Sequence, residues 1–209
     1  MIGIVNYGMG NLRSVANALT FLGAEAELVA DPARLSAATH LILPGVGAFP
    51  DGMKALHDGG LVGPMTDEVF GKKKPFLGIC LGMQLLADIG YEHGETKGLG
   101  WVRGAVTRIT PPADDRSSRV PHIGWNDVQV ATKDGMYAGL GDAAAFYFVH
   151  SYRLEPADPG IVNGWCDHGG RFAASFQAGN IWAAQYHPEK SHHPGLTVLR
   201  NFLRTKAAG

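Results

Sequence analysis

Apolar residues in the first hundred positions come in short runs separated by stretches of helical period. Residues 2–6 read as a strand. Leu12, Val15, Ala16, Leu19 and Leu22 then recur on one helix face, and Gly23 is placed to stop that helix. Strands follow over 27–30 and 40–43, the latter ending at Pro44-Gly45-Val46-Gly47. Two short helical segments, 51–57 and 61–70, lead to a strand at 76–79 and a helical pattern through Leu81, Leu85 and Leu86. Strand–helix alternation of this kind predicts a parallel sheet covered on both faces. Beyond Gly100 the pattern changes. Residues 101–109, 123–130, 145–150, 161–166, 172–176 and 181–185 read as strands separated by turn residues, so this half is expected to be antiparallel or mixed. Residues 111–118 read as an exposed loop, and Leu196, Leu199, Phe202 and Leu203 share one face of a closing helix. The expected fold is α/β: an open, mostly parallel twisted sheet flanked by helices. Its C-terminal β portion returns to the same sheet within a single domain spanning 1–209.

Composition narrows the class. At 209 residues and 45% hydrophobic, the chain can bury a sizeable core. A formal net charge of -1, with no basic stripe, argues against nucleic acid as a partner. Two cysteines at no metal-ligand spacing predict neither a disulfide framework nor a zinc site, and fit a reducing cytoplasm. The start, Met1-Ile2-Gly3-Ile4-Val5, reads directly as a strand rather than a signal peptide, and no apolar run approaches bilayer length.

The most informative segment is Gly78-Ile79-Cys80-Leu81-Gly82-Met83-Gln84. A buried-strand run ends on a cysteine between two glycines, and a helix pattern starts at once. This is the layout of a nucleophile elbow with sulfur as the nucleophile. Small residues on either side let the chain fold back without a Cβ clash, and the thiol faces a helix start. A cysteine nucleophile needs a base and a group to orient it. Gln185-Tyr186-His187-Pro188-Glu189-Lys190 follows another apolar run, and in extended chain His187 and Glu189 would point the same way. Glu189 can then fix the His187 tautomer, with the imidazole expected ~3–4 Å from the thiol. The Leu81 backbone N–H is one candidate oxyanion donor. The Val46 N–H, in the glycine-flanked loop after a predicted parallel strand, is the other. Gly8 and Gly10 after the first strand hint at a dinucleotide fingerprint, but its third glycine falls on Arg13. His192 and His193 could mimic a metal pair with His187, yet no further ligand has sensible spacing, so neither a metal nor an organic cofactor is expected.

Together these residues resemble class I, triad-type glutamine amidotransferases, over essentially the whole chain. The resemblance implies Cys80 as nucleophile, His187 as general base and acid, and Glu189 as the orienting carboxylate. Gln84 and the backbone at Gly47 would hold the glutamine side chain. The backbone of His150, Ser151 and Tyr152 would hold its α-amino and carboxylate groups. Five further segments resemble one branch of that family, the glutaminase subunits of imidazole glycerol phosphate synthases. They are Asn6-Tyr7-Gly8-Met9-Gly10-Asn11-Leu12, Leu43-Pro44-Gly45-Val46-Gly47-Ala48-Phe49, Pro121-His122-Ile123-Gly124-Trp125-Asn126, Phe148-Val149-His150-Ser151-Tyr152 and His187-Pro188-Glu189-Lys190-Ser191. That branch implies a heterodimer with a (β/α)8-barrel cyclase subunit. The cyclase uses the ammonia to make imidazole glycerol phosphate and an aminoimidazole carboxamide ribonucleotide, on the route to histidine. By the same resemblance Asn11, Trp125, Tyr147 and Lys190 would face the cyclase. Three other readings compete: a stand-alone γ-glutamyl hydrolase, which should be fully active alone; a non-catalytic scaffold, which has no use for an elbow thiol; and an amidotransferase subunit serving another pathway, against which the Pro-Gly-Val-Gly and Gly-Trp-Asn segments speak.

Overall fold

Alternation along the central strands explains why two layers of helices form. In the computed structural model, which describes residues 1–115 and 117–206, the chain runs β1 (Ile2–Val5), α1 (Leu12–Phe21), β2 (Ala26–Val29), β3 (His40–Gly45), α2 (Phe49–Asp58), α3 (Val62–Thr66), β4 (Phe76–Cys80) and α4 (Leu81–Gln84). It continues through β5 (Ile89–Gly90), β6 (Thr96–Lys97), β7 (Gly104–Arg108), β8 (His122–Val130), β9 (Ala143–His150) and β10 (Tyr152–Pro156). Last come β11 (Val162–Asp167), β12 (Arg171–Ala178), β13 (Ile181–Ala184) and α5 (His192–Leu203). In β13, Trp182 and Ala184 join the apolar cluster shared with Val15 and Leu19 of α1 and Leu199 and Phe202 of α5. Its neighbours Ile181 and Ala183 join the opposite cluster, with Phe49 and Met53 of α2 and Met65 of α3. Side chains alternate across a strand, so one strand serves both layers.

Nine strands form the main sheet in the order β2-β1-β3-β4-β13-β12-β11-β8-β9. The pairs from β2 to β13 are parallel. Those from β13 to β9 are antiparallel. The C-terminal half therefore returns to the first sheet, as its periodicity predicts. It also builds a feature the periodicity does not predict, a second sheet in the order β10-β7-β5-β6.

Three local expectations are corrected. The segment 101–109 is strand only over Gly104–Arg108, because its first residues turn back to bond Leu86. The helical stretch at 61–70 is α3 followed by a π-helical turn, Asp67–Gly71. The helix after Cys80 is one turn of four residues. The described part of the 111–118 loop is partly or fully exposed, and Arg116 lies outside the described residues. No described helix is long and apolar enough to cross a membrane.

Candidate active site

Sheet register brings the chemistry together. Gly45 of β3 pairs with Cys80 of β4, and Ile79 pairs with Ala184 of β13. Gln185, one residue on, therefore stands level with Cys80 at the C-terminal edge of the parallel strands, where open α/β sheets build their sites. Cys80 has φ 54° and ψ −111°. A non-glycine residue there is strained by about 1–3 kcal/mol, which the surrounding packing must offset. The flanking glycines serve close approach. A Cβ on Gly78 would come within 2.7 Å of the Gly82 carbonyl oxygen, and one on Gly82 would run into the carbonyl of Leu43. Since α4 is a single turn, its dipole gives the thiol little help. The electrostatic partner is the imidazole.

His187 and Glu189 have almost no exposed side-chain surface, and Nδ1 of His187 donates to Glu189 Oε1 at 2.8 Å. The pairing arises from a 3₁₀ turn, Pro188–Lys190, rather than from extended chain. The turn is pinned to β9. The His187 N–H donates to the Tyr147 carbonyl at 2.9 Å, the Ser191 hydroxyl donates to the His187 carbonyl at 2.6 Å, and the Tyr147 N–H donates to that hydroxyl at 3.0 Å. Nε2 of His187 is buried and free of any hydrogen bond of regular geometry. Burial works against its positive charge. The nearby Cys80 sulfur, then Glu189, outweigh that and push the imidazole up to about 10. The ring is thus set to hold a proton at neutral pH beside the sulfur. Cys166 contrasts with this: burial pushes its thiol up to about 12, and the charges acting on it are the carboxylates of Asp167 and Asp127 rather than an imidazole.

A cleft of about 270 Å³ opens over the thiol. Its walls include Val46, Gly47, Cys80, Leu81, Gln84 and the run Val149-His150-Ser151-Tyr152, so every residue expected to touch the substrate borders one space. Gln84 is buried, and its amide nitrogen donates to the Tyr152 carbonyl at 2.8 Å and to Gln185 Oε1 at 2.9 Å. Gln185, fully buried, in turn directs Nε2 at Cys80 Sγ across 3.7 Å. Gln185 and Ser191 are site residues that sequence reasoning passed over. Both lie in the quoted terminal motif, but spacing alone gave neither a role.

The two oxyanion candidates border the same cleft. Leu81 is the first residue of α4, so its N–H has no helical acceptor. Val46 sits at the rim, 41% exposed, next to Gly47 at φ 112°. Gly10 lies against the Pro44 carbonyl and Met9 against Gly47, so the glycine turn after β1 braces this loop. Of the residues expected at a partner face, Trp125 and Tyr147 are register partners on β8 and β9, 6.1 Å apart between ring centroids. Lys190 lies 5.8 Å above the Tyr147 ring, and His192 stacks on Trp125 at 5.0 Å. Asn11 stands at the head of α1, a helix that packs against the Pro188–Lys190 turn. Among the described residues no three His, Cys, Asp or Glu side chains gather as a metal ion would need.

Comparison with known proteins gives the family of the chain. Residues 3–206 match the family model "Glutamine amidotransferase class-I". The chain is 48% identical over 202 residues to the imidazole glycerol phosphate synthase subunit HisH of Desulfitobacterium hafniense (strain DSM 10664 / DCB-2), covering 97% of this chain and 93% of the relative. It is 47% identical to the subunit of that name from Rhodopirellula baltica, covering 97% and 96%. Among solved structures, one described as a glutamine amidotransferase superposes with a TM-score of 0.74 at 25% identity, covering 97% of this chain and 96% of that one. An elbow cysteine, a buried His–Glu pair and a shared cleft thus stand in a chain that belongs to the class I glutamine amidotransferase family.

Proposed function

We propose that this chain is the glutamine-hydrolysing subunit of an imidazole glycerol phosphate synthase in histidine biosynthesis. The observation that carries the reading is the His187–Glu189 pair buried beside the sulfur of Cys80, which itself borders a cleft walled by Gln84 and residues 149–152. The Cys80 sulfur attacks the side-chain amide carbon of glutamine. The resulting oxyanion is held by the N–H groups of Leu81 and Val46. Nε2 of His187 gives its proton to the leaving nitrogen, releasing ammonia and a glutamyl thioester. The neutral imidazole then takes a proton from water, whose oxygen attacks the thioester carbon. Glutamate leaves, and the sulfur and the imidazolium are restored. Glu189 keeps Nδ1 protonated throughout, so that Nε2 is always the nitrogen facing the reaction.

The partner in this reading is a cyclase subunit, which receives the ammonia and forms imidazole glycerol phosphate and the aminoimidazole carboxamide ribonucleotide. The β8–β9 ladder supports a docking face here. Ile123 and Trp125 are exposed on one side of β8, and their register partners on β9 are Val149, which borders the cleft, and Tyr147. Trp125 and Tyr147 are suited to act as rigid anchors, with Lys190 as the charged contact. Asn11 is assigned to the same face on resemblance alone. The Val46 N–H is proposed to turn fully inward only when the liganded cyclase is bound, with Gly47 as the hinge. Equal glutamine turnover by the free chain and the liganded complex would end that part of the account.

The test of the function is to mix the chain with its cyclase and supply glutamine labelled in the amide nitrogen. The label should appear in the imidazole ring of the product. With Cys80→Ala it should not, while synthesis from added ammonia continues. Labelled product from the Cys80→Ala complex would overturn the assignment.

A further inference from the structure

His122 lies in the Pro121-His122-Ile123-Gly124-Trp125-Asn126 segment and does not border the cleft, yet it is buried in a specific polar arrangement. Its ring is stacked between His168, with centroids 3.9 Å apart, and Phe148, at 4.7 Å. Its nitrogens both have partners. Nδ1 lies 3.0 Å from His150 Nε2, and Nε2 lies 3.2 Å from Asn126 Nδ2. His150 Nδ1 lies 2.8 Å from the Tyr152 carbonyl, which also accepts from Gln84.

The proton positions in this chain can be worked out from its two ends. A carbonyl oxygen only accepts, so the Tyr152 carbonyl requires a proton on His150 Nδ1. Nε2 of a neutral His150 is then an acceptor, and His122 must donate to it from Nδ1. At the other end, Asn126 Nδ2 also donates to the Asp167 carbonyl at 3.1 Å, and the Asn126 side-chain oxygen accepts from the Asp127 N–H at 2.9 Å. These two bonds fix which atom of the amide is nitrogen. Asn126 therefore donates to His122 Nε2, which again leaves the His122 proton on Nδ1. Both ends impose the same tautomer on His122, and every atom of the chain is satisfied with both rings neutral. A second proton on His150 would set two N–H groups against each other.

We propose that His122 is a positioning residue for the glutamine-binding turn. It acts through His150 on the Tyr152 carbonyl and so holds the 150–152 backbone in the conformation that receives the amino-acid end of the substrate. This rests on the reading of the cleft as a glutamine site. Through Gln84 and Gln185 the same chain continues to the Cys80 sulfur, so the wall of the cleft and the nucleophile are tied to one polar network that starts on the exposed strand β8. Burial and the neighbouring histidines hold His122 down to about 3. Burial, with charge from His168, His187 and Arg153, holds His150 to about 4 against the bond to Tyr152. The network is therefore fixed in its neutral form over the pH range in which an enzyme works.

Two substitutions in the assembled complex separate positioning from mere packing. His122→Phe keeps the stacked ring and loses the donor. His122→Asn loses the stack and keeps a donor near Nδ1. With glutamine as nitrogen source, Phe should raise KM about tenfold with kcat changed about twofold or less, since it leaves a buried acceptor on His150 unpaired. Asn should restore most of the difference, and synthesis from added ammonia should be normal for both. The reverse order, Asn worse than Phe, or an unchanged KM for Phe, overturns the proposal. A wild-type complex that uses ammonia but not glutamine would instead overturn the function itself. A readout that needs no substitution is the imidazole nitrogen shifts of the wild-type chain. His122 and His150 should both be neutral with the proton on Nδ1 from about pH 8 to about pH 5, although free histidine titrates inside that window. Titration of either ring near its ordinary value, or the Nε2–H tautomer, contradicts the relay.

Discussion

Cys80 combines a backbone torsion that few residues adopt with a buried imidazole partner, and the two features have different origins. The torsion is enforced by β3 and β4 pressing on α4. The protonated His187 is enforced by sulfur and carboxylate neighbours that outweigh burial. Replacing Glu189 by Gln keeps the shape and removes a charge. It should lower glutamine turnover about a hundredfold or more, with KM nearly unchanged, because proton transfer through His187 is lost without disturbing the cleft. Steady-state kinetics of the complex checks this. A pH effect belongs to the neutral pair His122 and His150. Unfolded, both imidazoles bind protons below about pH 6.5; folded, they stay neutral until about pH 3 to 4. The unfolded state thus holds more protons in between, so their contribution to stability is complete above the unfolded value and drains away as pH falls. Chemical denaturation from about pH 7 to 4 should show that loss, and His122→Phe should show a shallower slope by about one proton. Cys80, His187 and Glu189 are legible in the sequence as a candidate triad because each stands in a short motif whose spacing carries chemistry. Gln185, Ser191 and His122 were not assigned roles, since each acts through a hydrogen bond to a residue distant in sequence or on another element, and no spacing encodes that.

At the level of elements, the strands legible from the sequence are those with apolar side chains on both faces, such as β3, β4 and β13. The small sheet was missed. β5 and β6 are two residues each, and β10 begins at Tyr152 in a run that alternates too briefly to register. That omission matters, because β10 begins at Tyr152 on the cleft wall and is held by β7. The elbow yields a sharp contrast between two helical glycines. Gly82→Ala places a methyl against the Leu43 carbonyl and should cost about 3 kcal/mol, the upper range for overpacking, if the chain folds at all. Gly63→Ala, in α3 with open space around it, should stabilise by about 0.4–1 kcal/mol. Urea denaturation of the two variants measures both.

Across the whole molecule, the sheet's two edges differ in what they expose. At one edge β9 and its neighbour β8 carry the Tyr147–Trp125 pair, and β2 at the far edge exposes Leu28. Trp125→Ala should weaken association with the cyclase by tenfold or more, as expected for a central aromatic anchor at about 2 kcal/mol. Leu28→Ser, on the opposite edge, should leave affinity unchanged. Calorimetric titration of each variant with the cyclase decides between the β8–β9 face and any other.

The claim on which the rest depends is that one sulfur carries the glutamyl group between amide and water. Acid quenching of the complex during glutamine turnover, followed by mass analysis of its peptides, tests it most directly. A glutamyl adduct should be found on the peptide containing Cys80, absent from the Cys166 peptide and absent from the Cys80→Ala protein. An adduct on Cys166, or undiminished glutamine hydrolysis by Cys80→Ala, would contradict the account.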